Sequence, residues 1–505
     1  MVDSLQGRSS AAVDTARPLA GPLTRIASRG RPGDRPASRR VPGRWWWWAS
    51  AVAVVLGAVS LVGSRTPTYD PLSWAIWGRE LAHGQLSTAG EGAAFKPLPA
   101  FVDAVVATLR GDPSVVWLVV TRAAAVLAVV LAFVLARRLA GVVAGYVAAV
   151  ALPLAPGFLW LSGAGMAEPL EMAAMLAAVM CWLDGRRRDA VVALVVLSLL
   201  RPEAWPLLAV AGLVAAGRSV RRIAGCVLLG VLLLAVWFVP DYVGSGDLFR
   251  GSRRAGIPVN GGPGLSDVPG LAVLASVRDM LLTPMVAAAA LAALVYAVRA
   301  ARGRTGTARR VTVVTAVAAT WLGMIALMTQ LNLTTGVMRY LAPFTTLLAV
   351  LAGCGCAVLV RLARGVRRGP AVMAGVALLA FAVAAVVATV HASGRMGDEL
   401  RAVRSAQTTA GALRDLVTAA GGRDAVNACG PVATGPYQVP LVAWTLHRHL
   451  PTVGYVSPRT GTVVFVGSDP VGDDRLVAKR SLVRGPWTLR STCPAVAGAP
   501  AEGAP

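Results

Sequence analysis

The sequence predicts an α-helical polytopic membrane protein with about eleven transmembrane helices and a small mixed α/β extracytoplasmic domain at its C-terminus. Three observations predict it. Apolar runs of roughly 17–25 residues, long enough to cross a bilayer, recur between residues 45 and 391. The mean hydropathy is +0.63, far above what core burial in a soluble chain requires. The arginines gather in short runs between the apolar segments, which is the pattern of cytoplasmic loops under the positive-inside rule.

The net charge of +24 therefore reads as topology beside anionic lipid, not as a nucleic-acid surface. The basic runs fall in the tail to Arg44, at Arg137 and Arg138, and at 186–188, 218–222, 299–310 and 361–368. Facing each of them to the cytoplasm orders the spans. The tail, 1–44, is rich in Arg, Pro, Gly, Ser and Ala and reads as disordered and cytoplasmic. The first span, about 45–63, lies too far from the start to be a cleaved signal. Trp45, Trp46, Trp47 and Trp48 open it as an interfacial belt. A polar external loop, 64–114, follows, in which 98–109 forms a short interfacial helix. Spans at about 115–136, 139–159 and 168–183 come next, with an external turn at 162–169.

Residues 190–200 and 204–217 are each too short to cross alone, and Arg201-Pro202-Glu203 separates them. They read as two half-length helices meeting on the external side, where polar backbone lines a cavity. A single span through 190–215 would put basic runs on opposite sides and is disfavoured. Further spans fall at about 222–239, 281–299, 311–329, 341–360 and 371–391. External segments lie at 240–270 and 330–340, and 271–280 lies along the interface. The membrane domain is thus 45–391, and 392–505 is an external domain with a helical start (398–420) and β-like runs such as 462–466. Cys429 and Cys493 lie in this domain, and an oxidising compartment permits a disulfide between them. Two free thiols are the other reading.

The chemistry-bearing residues sit in the external segments. The loop after the first span carries Asp70, Arg79, Glu80 and Lys96 among aromatics. Polar groups beside a bilayer are costly to keep dry, so this loop reads as a cavity lining with Arg79 and Glu80 as substrate-binding candidates. A carboxylate in a partly desolvated pocket is a good proton acceptor, which suits Asp70. Asp70 before Pro71 also fits a helix N-cap. Glu168 and Glu171 share one helix face, as a second acidic group or as charge complementing a helix N-terminus. Arg201 and Glu203 either complement helix dipoles or, being ionisable at membrane depth, serve function. Arg339 suits a phosphate, and Arg339-Tyr340 also suits an interfacial anchor. Lys96, Arg253 and Arg254 are further external cations.

Cys354-Gly355-Cys356 reads as packing, and His447-Arg448-His449 lacks further ligands for a metal. Asn332-Leu333-Thr334 is a low-specificity sequon. No Gly-rich phosphate loop ending in Gly-Lys-Ser/Thr is present, so ATP-driven transport has no support.

With these elements in place, the layout over about 45–345 resembles the GT-C superfamily of integral membrane glycosyltransferases, including actinobacterial mannosyl- and arabinosyltransferases. The residues that carry the resemblance are Asp70 in the first external loop, Glu168 in the second, the Arg201-Pro202-Glu203 break, and Arg339-Tyr340 before a late span. The Arg- and Ala-rich composition also looks actinobacterial. The resemblance implies a polyprenyl-phosphate sugar donor and a glycan, lipid or protein acceptor on the extracytoplasmic side. It implies Asp70 as general base in an inverting transfer. Arg201, Arg339, Tyr340 and Lys96 would hold the donor phosphate, Glu168 would orient the acceptor, and Glu203 would contact substrate. No cofactor is implied. The single Asp70, where some members carry paired acids, leaves a divalent cation open. Two rivals remain: a transporter or lipid flippase, for which no internal repeat is evident, and a non-catalytic envelope assembly protein.

Overall fold

The computed structural model describes residues 44–303, 306–365, 370–455, 463–472, 476, 478–496 and 499–500, with side chains 364–381 and 497–500 outside that set. The tail expected to be disordered, 1–43, lies outside the described residues, as does Thr462. The chain divides into 1–47 and 48–505. Of the first unit only the opening turn of a helix is described.

The helices are α1 (Arg44–Val59), α2 (Tyr69–Ala82), α3 (Pro97–Thr108), α4 (Pro113–Ala140), α5 (Val142–Ala151) and α6 (Phe158–Gly163). Then come α7 (Glu168–Leu183), α8 (Arg187–Ser198), α9 (Trp205–Ala216), α10 (Val220–Ser245), α11 (Arg250–Ala255) and α12 (Pro269–Ala275). The remainder are α13 (Thr283–Ala301), α14 (Gly306–Gln330), α15 (Ala342–Gly365), α16 (Pro370–Ala419), α17 (Gly422–Ala428) and α18 (Val439–Leu446).

This is a multi-pass membrane protein. Among the described residues, six helices are long and apolar enough to cross a bilayer: Trp45–Val62, Pro113–Ala140, Val220–Ser245, Thr283–Ala301, Gly306–Gln330 and Met338–Ala363. The 16 residues of α7 rise about 24 Å, short of the ~30 Å hydrocarbon core. The expected third span is divided into α5 and α6 by Pro153, Pro156 and Gly157. The half-length pair at the Arg201 break is present as α8 and α9.

α4 and α15 are the most buried of the long helices, whereas α1 and α10 expose apolar side chains such as Val54, Val55, Leu228 and Val231. Small residues let the inner helices approach closely. A Cβ on Gly353 would collide with the Ala144 carbonyl, and one on Gly355 with the Ala288 carbonyl. Hence Cys354 and Cys356 flank a close backbone contact, and both are buried free thiols. The basic ends of the helices meet at one end of the bundle. There Arg138 pairs with Asp184 at 2.7 Å, and Arg361 donates to the Ala140 carbonyl at 2.7 Å. The opposite ends of α7 and α15 carry Glu168 and Arg339.

The boundary expected near 391 falls inside α16, which runs unbroken for 50 residues from Pro370 to Ala419. Beyond it, a six-stranded sheet has the order β2-β1-β3-β5-β4-β6. Its strands are β1 (Val432–Thr434), β2 (Val453–Gly454), β3 (Val463–Val466), β4 (Arg480–Arg484), β5 (Trp487–Ser491) and β6 (Ala499–Pro500). β1 pairs in parallel with β2 and β3, and the other pairs are antiparallel. Cys429 and Cys493 are joined by a disulfide. This region does not stand apart: Leu413, Val439, Phe465 and Trp487 share one hydrophobic core with Trp74, Trp77 and Phe95 from α2 and its following loop.

Candidate functional site

Asp70 is not a helix cap. The N-cap of α2 is Thr68, whose side chain makes no cap hydrogen bond. Its N–H and hydroxyl instead reach the Ala164 carbonyl at 3.1 and 3.3 Å. Asp70 occupies the first helical turn beside Pro71, where a missing N–H breaks no helical bond. The Asp70 side chain is free to point across the bundle, where its Oδ2 accepts from Arg339 Nη1 at 2.7 Å. Indole N–H groups fix the loop after α2: Trp74 donates to the Ala94 carbonyl at 3.2 Å and Trp77 to the Ser87 carbonyl at 3.0 Å.

Arg201 precedes a proline, and its backbone is accordingly extended (φ −143°, ψ 115°). That ends α8 and turns the guanidinium toward the start of α7. Nε donates to Glu171 Oε2 at 2.8 Å, and Nη2 donates to Glu168 Oε1 at 2.9 Å. Nη2 also reaches the Arg339 carbonyl at 3.3 Å, and the guanidinium lies 4.4 Å from the Tyr340 ring centre. Lys96 Nζ donates to the other Glu171 oxygen at 2.9 Å and sits 5.3 Å from the Trp74 ring centre. The turn before α7 is held by Gly165, whose positive φ of 80° frees its carbonyl to accept from Trp117 Nε1 at 2.8 Å.

The structure thus brings Asp70, Lys96, Glu168, Arg201, Glu203, Arg339 and Tyr340 to one end of the bundle, with Glu171 as the hub between Lys96 and Arg201. Glu168, Glu171 and Arg201 are buried, whereas the Arg339 side chain is 37% exposed. Arg201 is therefore occupied by carboxylates, and Arg339 has reach to spare. Glu168 Oε2 and Glu203 Oε2 are buried with no hydrogen-bond partner among the described residues.

Arg79 and Glu80 are not part of this group. They lie at the far end of α2, about 15 Å along its axis from Asp70. Arg79 donates to the Arg448 carbonyl at 2.8 Å and packs over Trp444. Glu80 accepts from the Ser87 N–H and pairs with His449 Nδ1, each at 2.8 Å. They dock the C-terminal region on α2 rather than line the cluster. Burial pushes the Glu80 carboxyl above its ordinary range, partly offset by the Ser87 N–H and His449. His447 faces Trp444 instead, so the two histidines do not converge.

Sequence reasoning missed three features. Tyr69 accepts from Arg254 Nη2 at 3.1 Å, and burial pushes its hydroxyl up to about 12. Asp103 is fully buried against Gly78, and burial raises its carboxyl well above the usual range. Glu399 of α16 accepts from the backbone N–H groups of Gly157, Leu159 and Trp160 at 2.7, 3.0 and 3.1 Å. It caps α6 from 239 or more positions away, which no local signal announces. α6 in turn walls an apolar cavity of about 370 Å³ that runs from Phe158, Trp160 and Met172 to Met280, Met338 and Arg339.

No family model matches the sequence, and no curated protein matches it. Solved structures do. ArnT from Cupriavidus metallidurans bound to undecaprenyl phosphate superposes with a TM-score of 0.51 at 16% identity, covering 88% of this chain and 97% of that one. The apo state of the same protein matches equally, with TM-score 0.51, 16% identity and the same 88% and 97% coverage. Archaeal oligosaccharyltransferase AglB from Archaeoglobus fulgidus has a TM-score of 0.46 at 12% identity over 80% of this chain and 64% of its own. The first two likenesses, spanning nearly the whole of both chains, show the fold: this chain has the GT-C fold.

Proposed function

We propose that this GT-C-fold protein is a membrane glycosyltransferase. It moves a sugar from a polyprenyl-phosphate donor to a hydroxyl of a glycan, lipid or protein acceptor on the extracytoplasmic side, with inversion. The observation that carries the reading is the place of Arg339. It pairs with Asp70 at 2.7 Å and also borders the apolar cavity of about 370 Å³. A carboxylate, a cation and an apolar slot are what an isoprenoid phosphate donor and a proton-shedding acceptor require. That the solved relative ArnT is bound to undecaprenyl phosphate supports the same donor class.

In this reading the isoprenoid tail enters the apolar cavity and the phosphate takes Arg339 as its partner. Arg339 then releases Asp70. The freed carboxylate accepts the proton of the acceptor hydroxyl, whose oxygen forms the bond to the anomeric carbon. The bond between that carbon and the phosphate oxygen breaks, and its electron pair leaves with the lipid phosphate. Arg339 offsets the growing charge, and Lys96, held by Glu171, adds a second cation to this end of the bundle. Arg201 holds Glu168 and Glu171 in place and presses on Tyr340. In the same reading Glu168 orients the acceptor and Glu203 contacts substrate. The basic helix ends face the cytoplasm by the positive-inside rule, which puts the Asp70 end outside.

The test is transfer from labelled polyprenyl-phosphate sugars to membrane extract by the purified protein, with wild type and Asp70→Asn compared. Transfer by wild type alone supports the reading. Equal transfer by both removes Asp70 as the base. No transfer with any donor favours a transporter or an assembly protein.

A further inference from the structure

A larger cavity, about 660 Å³, lies between the start of α4, the outer part of α16 and the loops around α17 and α18. Its volume is in the range of small-molecule sites. It is not the Asp70 centre. Leu72 lines it, and Leu72 lies two residues beyond Asp70 on α2, about 200° around the helix. The body of α2 therefore separates the two.

The charge on its wall is mostly positive. Arg65, Arg414 and Arg423 line it, all exposed, and none has an ion-pair partner among the described residues. The one acid in the wall, Asp112, is already committed. Its Oδ1 caps α4, accepting from the Ser114 N–H at 3.0 Å, the Ser114 hydroxyl at 2.7 Å and the Val115 N–H at 3.4 Å. Burial, and after it the charges of Arg423 and Arg79, hold His447 below its ordinary value, with Asp112 acting the other way. The wall is also built rather than incidental. Trp444 is gripped between Arg79 (5.6 Å to the ring centre) and His447 (6.3 Å between centres). His447 holds a left-handed φ of 57° at the end of α18, and a non-glycine residue there stores strain. The Arg65 N–H binds Gln407 of α16, which ties the two walls together.

We propose that this cavity is a second ligand site, which binds a phosphate ester at a place separate from the donor centre. Arginine forks match phosphate oxygens in pairs, and three of them line this cavity against the single carboxylate of Asp112. The ester is carried by a soluble glycan or by a lipid headgroup, since the cavity opens at the loop end of the bundle. The inference stands independently of the transferase reading, because it predicts binding and not turnover.

The test is calorimetric titration of glucose 1-phosphate into the full-length protein in phosphatidylcholine nanodiscs, with glucose as the uncharged control. Saturable binding of the phosphate ester alone is expected. Arg414→Gln/Arg423→Gln should weaken it about tenfold. Arg278→Gln should leave it unchanged. Both α16–α17 arginines are exposed, and a matched melting curve checks that the double variant is folded. Phosphatidic acid added to the nanodiscs separates the two sources. Competition that depends on the two arginines assigns the site to a headgroup, and undiminished binding assigns it to a soluble ester. Equal binding of glucose, undiminished binding in the double variant, loss in Arg278→Gln alone, or no binding of either phosphate source would each overturn the proposal.

Discussion

Arg339 donates to Asp70 at 2.7 Å across 269 positions of sequence, tying the helix after the first span to the entry of α15. The pair is local charge balance and, in the proposed reaction, the contact that a donor phosphate must displace. Asp70→Asn keeps the shape and loses the base. Transfer should fall about 10²–10⁴-fold with little change in melting temperature. Arg339→Lys keeps one charge but loses the fork, and should raise the donor KM more than it lowers kcat. A fall in melting temperature without a fall in transfer would make the pair purely structural.

Arg201 is expected to be structurally indispensable. Its guanidinium is the partner of both Glu168 and Glu171, all three being nearly inaccessible. Removing one partner from a buried charge network strands the others, at about 3–5 kcal/mol. Arg201→Met should therefore lower the melting temperature by several degrees, and Arg201→Met/Glu171→Met should recover part of the loss. If Arg201→Met melts like wild type, the network contributes no stability.

The helical polytopic plan, the break at Arg201-Pro202-Glu203 and the placing of Asp70, Glu168 and Arg339 at one end were legible in sequence. Apolar length, proline and the arginine runs act locally and leave local marks. The partners were not legible. Arg79 and Glu80 looked like cavity residues because they share a loop with Asp70. Their contacts, Arg448 and His449, lie 369 positions away. Composition and helix ends also part company for a physical reason. Composition changes near residue 392, yet α16 continues through Gly394 and Gly397. Each glycine weakens a helix by only about 1 kcal/mol, which the flanking turns absorb.

Glu80 makes stability depend on pH with a defined sign. Burial raises its carboxyl above the ordinary 4.5. A group raised in the folded state favours folding fully below its unfolded value, and that contribution is lost as pH rises through the folded value. Glu80→Gln carries no such titration. Relative to wild type it should gain in melting temperature between pH 4 and pH 7. A difference that is flat with pH, or that moves the other way, would show that His449 and the Ser87 N–H fully offset burial.

The Cys429–Cys493 bond closes a segment of 64 residues. Chain-entropy arguments give a loop of that length about 4 kcal/mol. It staples α17 to the end of β5, beside the core shared with Trp74 and Trp77. Cys429→Ser/Cys493→Ser, or reduction, should lower the melting temperature and quicken proteolysis after α16. If protease resistance is the same with and without reductant, the bond is not what holds this region.

Glu399 is the test of whether the apolar cavity serves the donor. Its carboxylate satisfies three backbone N–H groups at the start of α6. A helix of six residues has little else to hold its N-terminus, since free N–H groups there need partners. Loss of such a cap typically weakens a structure by about 0.5–2 kcal/mol. Here the effect should be local, because α6 supplies Phe158, Trp160 and Leu161 to the cavity wall while Asp70 and Arg339 belong to other elements. Glu399→Ala should raise the KM for a polyprenyl-phosphate sugar several-fold and leave kcat nearly unchanged. Glu399→Gln, which still offers an oxygen, should recover part of it. A short-chain donor that does not reach past Arg339 should be insensitive to both changes. If kcat falls while KM holds, or if short and long donors suffer alike, the cavity does not receive the tail.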